Sequence, residues 1–178
     1  MRFFKNIVIL FGLNFVFAEG SYAQIPDANA ANSKIKAIFL YNFTKYIEWP
    51  PHYKKGDFVI GVLGNSPIVP ELEKMAERTK LGTQTFSIKR YNNINEISDC
   101  HILYVANSNN ELIELAAQKL HKKSPLIISE CGGCTKKGSA INFVSVDNKQ
   151  RFELNKGNAG KNGLLVSSNL ATLAILVD

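Results

Sequence analysis

Short apolar runs alternate with stretches of helical periodicity along most of the chain. Phe58–Leu63, His101–Ala106 and Leu126–Ser129 are largely apolar runs, typical of strands buried on both faces. Helical patterns over Ile68–Arg78 and Asn109–His121 separate these runs, and the second helix can be capped by the serine before it. This alternation predicts an α/β fold with a mostly parallel sheet and helices on both faces.

An edge-like strand completes the predicted sheet. Thr83 to Tyr91 alternates polar and apolar residues, as a strand with one solvated face does. Asn92 to Ser98 then reads as a short linker.

An aromatic-rich helix is predicted ahead of the sheet. Ser33 can cap its start, and Pro50 and Pro51 end it. Its apolar residues fall near the i, i+3, i+4, i+7 pattern and are expected in the core: Ile35, Ile38, Phe39, Asn42, Phe43, Tyr46 and Ile47. Tyr41 and Trp49 lie off this stripe, so we predict that they belong to a surface that binds a partner.

A C-terminal hairpin follows the last buried strand. Ala140–Val146 is rich in β-branched and aromatic residues, and Arg151–Leu154 alternates polar and apolar residues. Asp147 and Asn148 have turn chemistry, which predicts an antiparallel pair with a short loop. Asn155 can cap a short helix directly after it.

The chain is expected to end in one more helix. Ser167, Ser168 and Asn169 offer capping oxygens for a helix over Leu170–Val177.

The first 23 residues are predicted to be a signal peptide. Arg2 and Lys5 form a basic region, and Ile7–Phe17 is an apolar core. Small residues end at Ala23, so cleavage is expected before Gln24. The alternative, an uncleaved membrane anchor, is disfavoured because an apolar run of 11 residues is short for a membrane crossing.

The exported part is predicted to be one soluble domain. Residues 24–32 are small and polar, which favours a flexible arm, and residues 33–178 are long enough to form a single core. The net charge is +6, and the lysines are scattered. No basic and aromatic residues interleave as in single-strand binders, so we expect no nucleic-acid partner, while an acidic partner surface stays open.

Cys131 and Cys134 admit three interpretations. A thioredoxin-type site needs a proper helix after the pair, and the sequence up to Gly138 is too short for one. A metal site needs further ligands, but Cys100 and the histidines are dispersed. A local disulfide suits an oxidising compartment, and the intervening glycines make the tight ring sterically easy.

No catalytic constellation emerges from the sequence. Ser129 lacks a nucleophile motif, Gly61 and Gly64 have the wrong spacing for a dinucleotide fingerprint, and isolated histidines are more often structural than catalytic. We therefore predict no enzyme, no cofactor and no metal.

A ligand crevice is the principal alternative to a protein-binding function. Ligands of open parallel sheets bind at the carboxyl ends of the strands. The residues that follow two predicted strands there are Asn65, Ser66, Asn107 and Ser108. In this interpretation the chain is a periplasmic small-ligand sensor domain that reports to a sensor kinase.

Two separated motifs resemble the YfiR-like family of small periplasmic regulators. The upstream motif comprises Lys36, Ala37 and the segment 40–50. The downstream motif comprises Gly133, residues 140–143, residues 151–155, Ala159, residues 163–168, Leu170, Leu173 and Ala174. The resemblance implies a Rossmann-like sheet flanked by helices, in a homodimer. The family's regulators also carry a disulfide before the matching glycine, but here the pair is tighter and encloses Gly133.

The resemblance also implies a function. Members repress an inner-membrane diguanylate cyclase by binding its periplasmic sensor domain, which lowers cyclic di-GMP and biofilm formation. By analogy with the family's surface at this motif, Arg151 and Glu153 on the outer side of the hairpin are candidate partner-binding residues. An exposed ion pair between them is the simpler interpretation, and it would contribute little stability.

Overall fold

The computed structural model describes residues 28–121 and 123–178, so the predicted signal peptide and its cleavage site lie outside the described residues. The strands are β1 (Ile47–Glu48), β2 (Phe58–Leu63), β3 (Lys80–Leu81), β4 (Gln84–Tyr91), β5 (Ile102–Val105), β6 (Leu126–Ser129), β7 (Ile141–Val146), β8 (Lys149–Leu154), β9 (Leu165–Val166) and β10 (Ile175–Leu176). The α-helices are α1 (Ala28–Tyr46), α2 (Ile68–Arg78), α3 (Ile113–Lys119), α4 (Lys156–Lys161) and α5 (Ser168–Leu173).

An eight-stranded sheet forms the centre of the fold, in the order β10-β8-β7-β6-β5-β2-β4-β3. Its middle strands, β4 to β7 with β2, run parallel, while β3 and β8 are antiparallel to their neighbours β4 and β7. Strands β1 and β9 form a separate antiparallel pair. The predicted α/β class with a mostly parallel sheet is confirmed. The parallel order reverses between β2 and β5, which is where such folds commonly bind ligands.

Helices cover the two faces of this sheet and divide the core. On one face, α1 packs with Ile141, Phe143 and other residues of the strands; on the other face, Ile113 and Ala116 of α3 pack against Leu103 and Ile127. Alternate residues of a strand point to opposite faces. The polar residues of β7 and β8 that stand between these apolar residues therefore point to the face that α3 covers.

Helix α1 begins earlier than predicted. It starts at Ala28, so the last residues of the arm predicted at 24–32 are helical. Ser33 lies inside the helix, and its hydroxyl donates a hydrogen bond to the carbonyl of Asn29 at 2.8 Å instead of capping the start. A serine bonded to the preceding turn is compatible with a helix interior, which explains why the predicted cap position was wrong.

The buried face of α1 also differs from the predicted stripe. Ile35 and Ile38 are 41% and 52% exposed, whereas Leu40 and Phe43 are almost fully buried. The apolar residues of α1 fit two overlapping helical stripes, and contacts with the sheet determine which of the two stripes is buried. Phe43 packs edge-on against Phe152, with ring centroids 5.0 Å apart.

The C-terminal hairpin forms as predicted. Asp147 and Asn148 have φ values of 50° and 57°, as the central residues of a type I′ turn require. The side chain of Asn155 caps α4 by accepting a hydrogen bond from the Asn158 amide at 2.8 Å.

The last helix is shorter than the predicted Leu170–Val177. Ser167 caps α5 through the Leu170 amide, but the helix ends at Leu173. The next residues form β10, which pairs with the outer edge of β8. The unpaired backbone groups of that edge offer hydrogen bonds that the helical pattern of the sequence does not reveal.

Candidate functional site

A disulfide bond joins Cys131 to Cys134 in the loop that follows β6. Their Cα atoms are 5.6 Å apart, within the ordinary range for a disulfide. Gly133 between them has a φ of 71°, a conformation that glycine adopts without steric cost. Cys134 is buried in the core beneath α3, and Cys131 is partly buried at its margin. Of the three interpretations of this pair, the structure therefore contains the local disulfide.

Asn142 connects the disulfide loop to the outer hairpin strand. Its side chain is fully buried on β7. Its Oδ1 atom accepts hydrogen bonds from the Cys131 backbone amide at 2.9 Å and from the Ser129 hydroxyl at 2.8 Å. Its Nδ2 atom donates to Oε2 of Glu153 at 2.8 Å, and the two residues are directly opposite in the strand register. One amide group thus joins the loop to β8.

Glu153 is half-buried, and Arg151 is exposed on the same strand. Glu153 is bonded to Asn142, and Arg151 makes no ion pair with any residue in the described part of the chain. The ion pair that their spacing suggested is therefore absent among these residues. One oxygen of Glu153 is fixed by the Asn142 amide, which orients the carboxylate at the surface of the hairpin.

The residue before the disulfide ties the strand end to α1. Glu130 forms an ion pair with Lys36 of α1, and its other oxygen accepts a hydrogen bond from the Tyr104 hydroxyl at 2.6 Å. Burial of the Tyr104 ring, together with the nearby Glu130 carboxylate, raises the pKa of Tyr104 far above its usual range. The hydroxyl therefore stays protonated and remains a hydrogen-bond donor at physiological pH.

Of the two aromatic residues predicted to bind a partner, only Tyr41 is accessible. It is half-buried between α1 and α2, and its ring contacts Phe86. Trp49 is only 5% exposed, and its indole N–H donates to the His101 carbonyl at 3.1 Å. Because α1 ends at Tyr46, Trp49 does not continue the helix, and its assignment to a helix surface was wrong.

The structure brings together only two of the four residues predicted for the ligand crevice. Asn65 and Ser66 line an open cavity of about 710 Å³, but Asn107 and Ser108 do not. Ser108 does not cap a helix: its hydroxyl donates to Asn109 at 2.6 Å, in a 3₁₀ segment that precedes α3.

The side chain of Asn109 occupies the space above Gly64. A Cβ atom at Gly64 would lie 2.0 Å from the Asn109 oxygen. The backbone at this strand end is thus covered by a side chain of the protein itself. It does not form an open phosphate cradle of the kind found after the first strand of nucleotide-binding sheets.

The buried histidine and the free cysteine have structural roles. His101 accepts a hydrogen bond from the Val59 amide at Nδ1 (3.0 Å), so its Nε2–H donates to the Tyr53 carbonyl at 2.8 Å. Burial lowers the pKa of His101, which keeps the ring neutral. Burial also raises the pKa of the Cys100 thiol to about 12, which makes it a poor nucleophile.

Sequence reasoning missed the polar residues around the disulfide loop: Lys36, Tyr104, Glu130 and Asn142. Asn142 carried a signal, because asparagine is depleted in strands and here interrupts an apolar run. A buried amide in such a position must have several hydrogen-bond partners. Lys36 and Asn142 also lie within the two family motifs, although the motifs alone assigned them no role.

No group of three or more histidine, cysteine or acidic residues converges as a metal site in the described part of the chain. None of the helices within residues 28–121 and 123–178 combines the length and hydrophobicity of a membrane span. A family model described as YfiR/HmsC-like matches residues 33–175, and the chain belongs to this family of periplasmic regulatory proteins. No curated protein matches the chain.

Proposed function

We propose that this YfiR/HmsC-like protein represses a membrane-bound diguanylate cyclase by binding the cyclase's periplasmic domain. Family membership over residues 33–175 supports a regulatory role. The observation that carries the proposal is the hydrogen-bond chain from the disulfide loop through Asn142 to Glu153. These hydrogen bonds orient a carboxylate at the protein surface and connect it to a cysteine pair that an oxidising compartment can join.

The proposed binding surface is the hairpin around Glu153 and Arg151. Arg151 is exposed and forms no ion pair among the described residues, so its charge is available to a partner. Glu153 is already oriented by Asn142, so binding costs less side-chain entropy than it would for a free carboxylate. Polar pairs of this kind favour specificity for one receptor.

Repression then follows from a difference in affinity. A regulator that binds the inactive state of the receptor more tightly than the active state shifts the receptor toward inactivity. A shift from 1:99 to 99:1 needs a difference of roughly 5.5 kcal/mol. A signal that alters the regulator's surface reduces this difference and releases the cyclase.

The disulfide acts locally in this proposal. Its ring is very short, so it restricts the unfolded chain only slightly. Its main effect is on the Cys131 amide, which it holds against Asn142. An oxidising compartment maintains such a bond. Its loss would leave the Asn142 amide, and through it Glu153, less well positioned.

The family resemblance further favours a homodimer, which sedimentation of the purified protein tests directly.

Affinity capture from detergent-solubilised membranes tests the proposal. The mature protein serves as bait with and without reductant, and Arg151→Glu is the surface variant. Recovery of a receptor with a periplasmic domain and a cyclase output domain is the expected result, with reduced recovery by Arg151→Glu. Recovery of a receptor with a kinase output domain would instead identify the partner as a sensor kinase. Recovery of no membrane protein in either redox state would contradict the proposal.

A further inference from the structure

A groove between α1 and α2 exposes apolar side chains that the sequence pattern assigned to the core. It has a volume of about 660 Å³. Ala37, Ile38 and Tyr41 of α1 form one wall, and Met75 of α2 lies on the other. Ile38 is 52% exposed, and Ile35, one turn earlier, is 41% exposed. A single exposed isoleucine is ordinary, but two adjacent ones beside an apolar groove indicate a binding surface.

The rim of the groove is positively charged. Lys34, Lys74 and Arg78 line it together with one acidic residue, Glu71. Lys74 is paired with Glu71 at 2.6 Å. Lys34 and Arg78 form no ion pair within residues 28–121 and 123–178. Helix α1 carries lysines but no aspartate or glutamate. Two cations thus remain available beside the apolar floor.

The shape of the groove favours a helix as its occupant. From Ala30 to Tyr41 the groove follows α1 for about 16 Å, at about 1.5 Å per residue, which is long enough for roughly three turns of a bound helix. A concave surface between two helices accepts the apolar face of a third, whereas a flat bilayer suits a protruding apolar face. Basic residues on the rim call for acidic residues beside that apolar face.

We propose that the α1–α2 groove docks an amphipathic helix with acidic flanks, supplied by the membrane receptor. The helix places apolar residues spaced i, i+3 and i+7 over Ile38 and Met75, and its carboxylates approach Lys34 and Arg78. The inference rests on the proposed function only in assigning the helix to a receptor. Tyr41, half-buried in this groove, then contacts the partner as its sequence position suggested.

Two synthetic helical peptides provide the test. They share one leucine stripe, and one carries glutamate beside the stripe where the other carries lysine. Fluorescence anisotropy with the mature protein is expected to give at least about tenfold tighter binding of the glutamate peptide, and this preference should fall as salt rises. Ile38→Asp should weaken binding by about tenfold or more, because it places a charge against the apolar stripe.

Matched variants separate the groove from general surface effects. Leu115→Asp replaces a leucine on α3 that is 48% exposed outside the groove, and it should leave peptide binding unchanged. Lys34→Glu should remove the preference for the glutamate peptide while circular dichroism stays unchanged. Equal binding of the two peptides, no binding of either, or full binding by Ile38→Asp would overturn the proposal.

Other occupants give different results. If Ile38→Asp converts a dimer to a monomer in sedimentation, the groove holds a second copy of the chain. If a chain that begins at Ala28 binds the peptide and one that begins at Gln24 does not, residues 24–27 fill the groove. Loss of co-sedimentation with anionic vesicles in Ile38→Asp would indicate a lipid surface. Each of these results overturns the proposal. The peptide assay contains no receptor. Its result therefore does not depend on whether the protein represses a cyclase.

Discussion

The side-chain amide of Asn142 donates a hydrogen bond to the carboxylate of Glu153 at 2.8 Å across the C-terminal hairpin. The oxygen of the same amide accepts the Cys131 backbone N–H. A change at the disulfide loop therefore reaches the hairpin surface through one buried side chain. This is a physical route by which a change at the disulfide loop can affect the binding surface proposed at the hairpin.

Replacing Asn142 should destabilise the protein substantially. In Asn142→Ala the Cys131 amide and the Ser129 hydroxyl lose their acceptor, and the partly buried Glu153 carboxylate loses its donor. We expect the free energy of unfolding in urea to fall by about 1–3 kcal/mol.

An exposed serine on the same strand is the matched control. Ser145→Ala should change the free energy of unfolding by less than about 0.5 kcal/mol. If Asn142→Ala were as mild as this control, the amide would not be the junction described here.

Removing the disulfide should have a small global effect and a clear local one. For a ring this short, the chain-entropy model gives a loss of about 2 kcal/mol at most for Cys131→Ser. The NMR resonances of the Asn142 side-chain amide should shift, because the Cys131 N–H is no longer held against the oxygen of that amide.

Cys100→Ala is the control for the loss of a cysteine. It removes a buried thiol that takes part in no disulfide, and it should leave the Asn142 resonances in place. Unchanged resonances in Cys131→Ser would show that the ring does not position Asn142.

The hairpin could be predicted in detail because its determinants are local. Asp147 and Asn148 adopt the turn that their chemistry favours, and alternation in the sequence sets the faces. The buried face of α1 could not be predicted in the same way. Ile38 and Leu40 both belong to plausible apolar stripes, and only distant aromatic residues of the sheet decide between them.

Trp49 and Tyr41 should differ sharply in their contribution to stability. Trp49→Ala removes a buried indole and its hydrogen bond to the His101 carbonyl, with an expected loss of about 3–5 kcal/mol in the free energy of unfolding. Tyr41→Ala removes a half-buried ring and should lose less than about half of that. Equal losses in chemical denaturation would contradict the core placement of Trp49.

Acidification should destabilise the protein through His101. Burial lowers the pKa of His101 in the folded state, so the unfolded chain binds more protons between that value and about 6.5. The free energy of unfolding therefore rises with pH in this window and falls as the pH drops below about 6.5. The slope from one proton is at most about 1.4 kcal/mol per pH unit.

Two variants isolate this contribution in urea unfolding between pH 7 and pH 5. His101→Asn keeps a donor and an acceptor but cannot titrate, so its slope should be shallower than that of the wild type. Ser145→Ala changes an exposed residue that does not titrate and should keep the wild-type slope. An unchanged slope in His101→Asn would assign the pH dependence to other groups.

The candidate site was only partly predictable from the sequence. The spacing of Cys131 and Cys134 and the predicted export favoured their bond. The roles of Glu130 and Asn142 depend on which strands become neighbours: β6 lies beside β7, and β7 beside β8. Trp49 was misplaced because α1 ends three residues before it, so a helical projection does not describe its position.

The most direct test of the central claim is the cyclic di-GMP pool of cells that lack this protein. Deletion of the gene should raise the pool severalfold, and the wild-type protein should restore it. Glu153→Lys should fold and be exported at wild-type levels yet fail to restore the pool, because it reverses the charge that Asn142 orients toward the partner. A pool that does not change on deletion would contradict the account.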